Sequence, residues 1–358
     1  MDQRLRYYLA HNGGLEIMRF EGGALRPIAE FFEGKTLEHL IGSRRNHEIV
    51  FAAVAFDGGY RTRDAGKSWE KIMDGDVRTF TIDPHDDRVV YMGMGPIRLY
   101  RSEDGGTTWE ALDGMLDLSD GVKSKWDVPP RLRGVEKPHV RHIFVHPEDS
   151  NLLFTLLEHG GVLLSRDRGA TWQDRSEGID YVDMHMIENY PGSKARYYVS
   201  SARGFFRTDD CGEHWYRSEN GMPWAGTPLY CYSHEWQFLP GDPPRMVLCG
   251  ARGSPGVWSR EKTDPKGHVL LSDDGGNSWR VATGGLKKEN PWMPWVLLRH
   301  PTDRDALFCG MGDGARGYGF DPKERGNGAL YTSGDRGDSW VPILAEAPSI
   351  LTAWVAPQ

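Results

Sequence analysis

The sequence predicts an all-β protein, a seven-bladed β-propeller, from three observations. An eight-residue motif recurs six times, a hairpin pattern recurs between its copies, and the two chain ends complement each other. The motif is Ser/Thr-x-Asp-x-Gly-x-x-Trp. It reads TRDAGKSW from Thr62, SEDGGTTW from Ser102, SRDRGATW from Ser165, TDDCGEHW from Thr208, SDDGGNSW from Ser272 and SGDRGDSW from Ser333. Each residue type has a local reason. Asp and Ser/Thr fold back onto the backbone N–H groups of a turn. Gly takes positive φ at little cost, and Trp packs as the next strand begins. Asp64, Asp104, Asp167, Asp210, Asp274 and Asp335 are therefore read as turn fasteners, not as catalytic carboxylates.

The hairpins come next. TFTIDPHDDRVVYMG, IFVHPEDSNLLFTL, WQFLPGDPPRMVLCG and VLLRHPTDRDALFCG each read as a strand, a Pro/Asp turn and a second strand, and MIENYPGSKARYYVS is a looser copy. Each repeat is thus four strands, A to D, with the motif between C and D. Residues 5–28 read as strands B, C and D with the motif eroded, and the C-terminal SILTAWVAPQ reads as a lone strand A. The two ends should share one blade and close a ring of seven, with residues 1–358 forming one domain.

The motif resembles the Asp-box, or BNR repeat, of the sialidase-like and photosystem-assembly-factor-like propellers, and the resemblance covers nearly the whole chain. It implies the fold more than an activity, because the same box decorates unrelated functions. Sialidase activity is not expected: that family's Arg-Ile-Pro segment is absent, and Gly95-Pro96-Ile97-Arg98 has the wrong order.

A net charge of −8 argues against general nucleic-acid or acidic-membrane binding, since no basic excess exists to release counterions. No apolar run approaches the length of a membrane span. The N-terminus MDQRLRYYLAHNGG has no apolar core of a signal peptide, which points to the cytoplasm. Cys211, Cys231, Cys249 and Cys309 lack paired spacing and read as reduced thiols, Cys249 and Cys309 as small buried hydrophobes.

Loop lengths select a face. The motif aspartates are separated by 40, 63, 43, 64 and 61 residues, so some blades carry insertions. These fall at 113–139, 218–233, 251–268, 284–294 and 311–327, all in D–A or B–C connections, which share one side of an up-and-down propeller. Seven of 13 histidines map to that side: His11, His39, His139, His142, His159, His185 and His234. Such a concentration fits a metal site or acid/base chemistry. The competing reading is that each histidine only hydrogen-bonds a neighbouring blade. Likewise, the arginines either bind an anion or pair with nearby carboxylates.

These residues define the expected site. Glu158, Glu235, Arg141 and His159 are its candidate catalytic groups. Arg78, Arg203, Arg252, Trp126, Tyr230, Trp295 and His11 are candidate substrate contacts. His142, His185 and His234, starting the A strands of three consecutive blades, are candidate ligands of a divalent metal: zinc, iron or copper. No organic cofactor is indicated. The preferred function is a cytoplasmic enzyme, hydrolase- or lyase-like, with a His/Arg/carboxylate, metal-containing centre at the channel mouth acting on a small anionic substrate. The alternative is a non-catalytic module that holds a protein partner on the same face.

Overall fold

The computed structural model describes residues 4–128, 137–287, 290–313 and 326–358. Parts of three expected insertions, residues 129–136, 288–289 and 314–325, lie outside the described residues.

The fold is a seven-bladed all-β propeller of four-stranded antiparallel sheets. Blade 1 contains β1 (Leu5–His11), β2 (Gly14–Glu21) and β3 (Ala24–Phe31). Blade 2 follows with β4 (Leu37–Gly42), β5 (Val50–Val54), β6 (Gly58–Thr62) and β7 (Glu70–Asp74). Blade 3 has β8 (Asp76–Ile82), β9 (Val90–Gly95), β10 (Arg98–Ser102) and β11 (Glu110–Ala111). Blade 4 has β12 (His139–His146), β13 (Asp149–Glu158), β14 (Gly161–Ser165) and β15 (Gln173–Asp174). Blade 5 has β16 (Met184–Asn189), β17 (Tyr197–Ser201), β18 (Gly204–Thr208) and β19 (Tyr216–Arg217). Blade 6 has β20 (Cys231–Leu239), β21 (Arg245–Arg252), β22 (His268–Ser272) and β23 (Arg280–Val281). Blade 7 has β24 (Met293–Arg299), β25 (Leu307–Gly312), β26 (Gly328–Ser333) and β27 (Val341–Ala347). The C-terminal β28 (Thr352–Pro357) pairs antiparallel with β1, Leu9 facing Ala353 and Tyr7 facing Val355, and so completes blade 1.

The middle strands lack alternation because both of their faces are covered. VFAAV of β5 and GVLLS of β14 are buried along their whole length. The last strands of blades 3 to 6 are only two residues long, which leaves little edge for another chain to pair with. The insertions are not structureless: Asp113–Asp117 is a 3-10 turn, and Asp120–Lys123 and Pro255–Glu261 are short helices. Among the described residues no helix is long and apolar enough to cross a membrane.

The chain divides into two compact units. One comprises residues 1–37, 202–205 and 218–358; the other comprises residues 38–201 and 206–217. In the first, the core between blades 6 and 7 holds Leu239, Val247, Cys249, Leu271, Leu297, Cys309 and Trp340. In the second, Tyr91, Leu99, Ile143, Leu153, Leu163 and Trp172 pack between blades 3 and 4. Phe154, Leu164, Ile187, Tyr197 and Trp215 do the same between blades 4 and 5.

The repeated motif is a hydrogen-bonded turn. In blade 6 the Ser272 hydroxyl lies 2.8 Å from Asp274 Oδ1 and accepts the Gly276 amide at 2.9 Å. Asp274 accepts the Ser278 amide at 2.9 Å and the Ser278 hydroxyl at 2.5 Å. Trp279 then donates from Nε1 to the Ser218 carbonyl at 2.8 Å, fixing the next strand. In blade 2 the Ser68 hydroxyl does most to hold the Asp64 carboxyl at about 2, so this aspartate is ionised and ill-suited as a proton donor. Asp274→Ala is expected to cost about 1–2 kcal/mol through these lost bonds, read by denaturant unfolding, with any ligand affinity of the folded fraction unchanged.

Candidate functional site

The innermost strands share an irregularity that decides which side chains leave the core. The register of β8 slips between Val77 and Thr79, that of β12 between Val140 and His142, and that of β16 between Met184 and Met186. The same slip falls between Ser233 and Trp236 in β20 and between Pro294 and Val296 in β24. Arg78, Arg141, His185, Trp295 and the pair His234–Glu235 sit at these slips. A bulge re-aims its extra residue and releases a backbone N–H from the ladder.

Side chains of the preceding blade take up those amides. His39 Nδ1 accepts the Phe80 amide at 3.3 Å, and His142 Nδ1 accepts the Ile187 amide at 3.5 Å. Glu235 Oε2 accepts the Leu297 amide at 2.8 Å. Phe80, Ile187 and Leu297 each stand two residues beyond the slip-site residue of their strand. These three side chains are ties between consecutive blades, the role that the competing reading gave the histidines.

The expected metal trio occupies different positions on these strands. His185 occupies its slip, as Arg141 does, whereas His142 stands one residue past its own and is directed into the blade interface. His234, in the first unit, donates from Nδ1 to the Trp295 carbonyl at 3.0 Å and stacks on Tyr232. Among the described residues, Glu158, His159 and Asp183 have donor atoms all within 4.8 Å of one another. Glu235, expected to be catalytic, is a blade tie.

The polar centre of the second unit is built from charged residues two apart in sequence, which strand geometry places on one side. Asp76 and Arg78 come from β8, His139 and Arg141 from β12, and Asp183 and His185 from the entry to β16. Glu158 ends β13, and His159 opens the turn that follows. Gly160 and Gly161 of that turn donate their amides to the Val182 carbonyl at 3.0 and 3.2 Å, drawing His159 beside Asp183. His159 has φ +62°, a left-handed conformation that costs a non-glycine residue energy and is overrepresented at functional sites. The Asp183 loop is shaped by Gly178, at φ +91°, where a Cβ would lie 2.1 Å from the Trp215 carbonyl oxygen.

Glu158 is the hub. Its Oε2 lies 3.3 Å from both His139 Nε2 and Arg141 Nε. The other His139 nitrogen, Nδ1, is 3.0 Å from the Lys137 carbonyl, so both ring nitrogens face acceptors. Burial pushes the Glu158 carboxyl up, but His139, Arg141 and His159 together hold it well below the usual carboxylate range. Asp183 lies 3.9 Å from His159 Nδ1 and 3.6 Å from His185 Nε2.

Arg78 is differently placed. It is bidentate to Asp76 at 2.7 and 3.0 Å, reaches Glu38 at 3.5 Å and is covered by the Phe56 ring at 4.8 Å. Burial pushes its pKa down, but Glu38 and Asp76 outweigh that and raise it. Phe56, also left-handed, is 68% exposed. Trp126 packs against the core between blades 3 and 4, beside Gly160.

The remaining expected contacts belong to the first unit. Arg203 lies over the Tyr230 ring at 5.1 Å, and Arg252 pairs with Glu261 at 3.1 Å. His11 accepts the Gly13 amide at Nδ1 and lies 3.5 Å from Glu16. Trp295, an expected substrate contact, is fully buried against Tyr232, His234 and Trp258. Sequence reasoning missed Asp183, Asp76 and Glu38; the signal was the alternate spacing Asp76-x-Arg78 and Asp183-x-His185.

His142 makes a testable contribution to acid stability. Burial, with Arg141 adding to it, pushes its pKa from 6.5 down to about 3. Below pH 6.5 the unfolded chain therefore binds a proton that the folded chain refuses, and stability falls as pH drops towards 3. At pH 5 the loss is about 2 kcal/mol. Between pH 6.5 and 4.5 it is expected to shrink in His142→Gln, whose amide oxygen can still accept the Ile187 N–H; Glu158 titrates only lower. Equal slopes in wild type and variant over that range would contradict this assignment.

Comparison with known proteins places the fold. No family model matches the chain. A 146-residue stretch is 26% identical to vacuolar protein sorting/targeting protein 10 of Colletotrichum graminicola, covering 40% of this chain and 9% of that protein. The GH74 enzyme of Niastella koreensis superimposes with a TM-score of 0.61 at 15% identity, covering 86% of this chain and 45% of that one. YCF48 bound to D1 peptide gives a TM-score of 0.53 at 16% identity, covering 96% and 86%. The chain thus spans under half of the enzyme and a small fraction of the sorting protein. What these likenesses establish is the propeller fold, which an enzyme and a peptide-bound protein share.

Proposed function

We propose that the protein is an enzyme that binds a small anionic molecule at the Glu158 centre and processes it by acid/base or metal-assisted chemistry of hydrolytic or lyase type. One observation carries this reading. Around an ionised, half-buried carboxylate the second unit gathers an arginine, three imidazoles and a second carboxylate from three strand ends and a turn. Such an arrangement of coupled titratable groups is characteristic of functional sites. In this reading Arg141 anchors the anionic group and the imidazoles transfer protons. The six motif turns support placing the chain among the Asp-box propellers. A two-carboxylate glycosidase fits less well: the general acid of such a pair needs a raised pKa, and Glu158 is lowered.

A second reading, capture of a protein partner, is favoured by one observation. Phe56, an exposed aromatic on a left-handed turn, covers Arg78 at the edge of the same centre.

A thermal-shift screen of small carboxylates, sulfate and phosphate esters separates the two. The enzyme reading expects at least one compound to raise the melting temperature of wild type but not of Arg141→Gln, and that compound to be turned over. No stabilising compound, or the same shift in both proteins, refutes it. The partner reading instead expects Phe56→Ala to abolish retention of a protein ligand.

A further inference from the structure

We propose that Glu158, His159 and Asp183 bind one divalent transition-metal cation. Two carboxylates and an imidazole form a donor set that suits manganese, iron or zinc. Their donor atoms lie within 4.8 Å of one another. Ligands of one ion at bonds of about 2.0–2.2 Å stand roughly 3–3.5 Å apart, so side-chain rotations closing up to about 1.5 Å complete the site.

Four features of the surroundings point to a cation. The first is charge. Glu38, Asp76, Glu158 and Asp183 face Arg78 and Arg141, so four carboxylates meet two guanidinium groups. Asp76 and Glu38 outnumber Arg78 by one, and Glu158 and Asp183 outnumber Arg141 by one, so part of the excess lies on Glu158 and Asp183. The second is an oxygen: Asp183 Oδ1 is buried and, with His185 Nε2 3.6 Å away, accepts no hydrogen bond among the described residues. The third is division of labour. His139 and Arg141 both approach Glu158 Oε2, while His185 approaches Asp183, and outer contacts of this kind orient metal-binding carboxylates. The fourth is preorganisation: the backbone tie from Gly160 and Gly161 to Val182 holds His159 beside Asp183 without help from an ion.

This inference rests on the enzyme reading and deepens it. A carboxylate excess repels an anionic substrate, whereas a bound dication reverses the local charge and offers that substrate a coordination position beside Arg141.

The test uses the full chain, purified without an affinity tag and loaded separately with Mn²⁺, Co²⁺ or Zn²⁺. Elemental analysis after desalting is expected to find about one ion per chain in wild type. Asp183→Asn, and His159→Asn, whose side chain tolerates the left-handed backbone, are expected to bind at least 10-fold more weakly. The Co²⁺ form should show visible d–d absorption that both variants lack. No stoichiometric ion with any of the three metals, or equal binding by wild type and both variants, overturns the proposal. Thermal shifts by phosphate, with and without EDTA, distinguish the two claims. Stabilisation that persists in EDTA overturns the metal's part in anion binding and spares the anion site; a bound metal with no anion response upholds the metal and rejects the substrate reading.

Discussion

A chain truncated after Pro348 is expected to lose its cooperative unfolding transition. The removed segment contains β28, the innermost strand of blade 1. It pairs with β1 from Thr352 to Pro357 and buries Ile350, Leu351 and Val355 almost completely. At about 1.5–3 kcal/mol for each large aliphatic side chain, the apolar loss alone is roughly 5–9 kcal/mol. That is comparable to the whole stability of a typical domain. Backbone bonds go as well: the Leu351 amide donates to the Ala10 carbonyl at 2.9 Å and the Gln358 amide to Arg4 at 2.7 Å. Truncation also bares the inner edge of β1, whose buried Tyr7, Tyr8 and Leu9 would invite aggregation. Circular dichroism melts of the truncated and full chains check this. A truncated protein melting at the wild-type temperature would contradict the blade assignment.

The second large effect is expected at Glu158. Glu158→Gln keeps the shape but leaves Arg141 and His139 facing each other without their shared anion. Removing one partner of a buried charge pair costs on the order of 3 kcal/mol, chiefly because the remaining charge is left unmatched. Arg141 cannot shed a proton to relieve this. A double-mutant cycle with Arg141→Gln therefore isolates the pair. The double variant is expected to be more stable than the sum of the two single losses predicts, by about 1–3 kcal/mol in urea unfolding. Additivity within a few tenths of a kcal/mol would mean that the contact between Glu158 and Arg141 carries no energy.

The fold was legible because the turn chemistry repeats. Ser272, Asp274, Gly276 and Trp279 each have a local task, and a motif that does the same work six times betrays the repeating unit. The closure of blade 1 was legible from two incomplete ends, a lone strand A and a blade without one. The site was legible only in part, and the bulges explain why. Aligning His142 with His185 ignored a slip that sets the two out of step, so one faces the polar centre and the other the blade interface. Glu235 has a contact of a related kind: its partner is a backbone amide beyond a bulge in the next blade, and sequence pattern carries no trace of that bond. Glu158, Arg141 and His159 were singled out and do come together. Asp183 was missed because it lies in an irregular loop positioned by Gly178 and by the Val182 carbonyl, neither of which belongs to the repeat.

The central claim is that the Glu158 centre receives a ligand and is more than a structural ion-pair network. Isothermal titration of phosphate into manganese-loaded wild type and into manganese-treated Asp183→Asn tests it most directly. Asp183→Asn keeps the side-chain shape and leaves the Glu158–Arg141–His139 contacts in place. A saturable heat of binding in wild type, weakened at least 10-fold in Asp183→Asn while both proteins melt within a few degrees of each other, is the predicted result. No heat in wild type, or the same isotherm in both proteins, would contradict the claim and leave the centre a structural network.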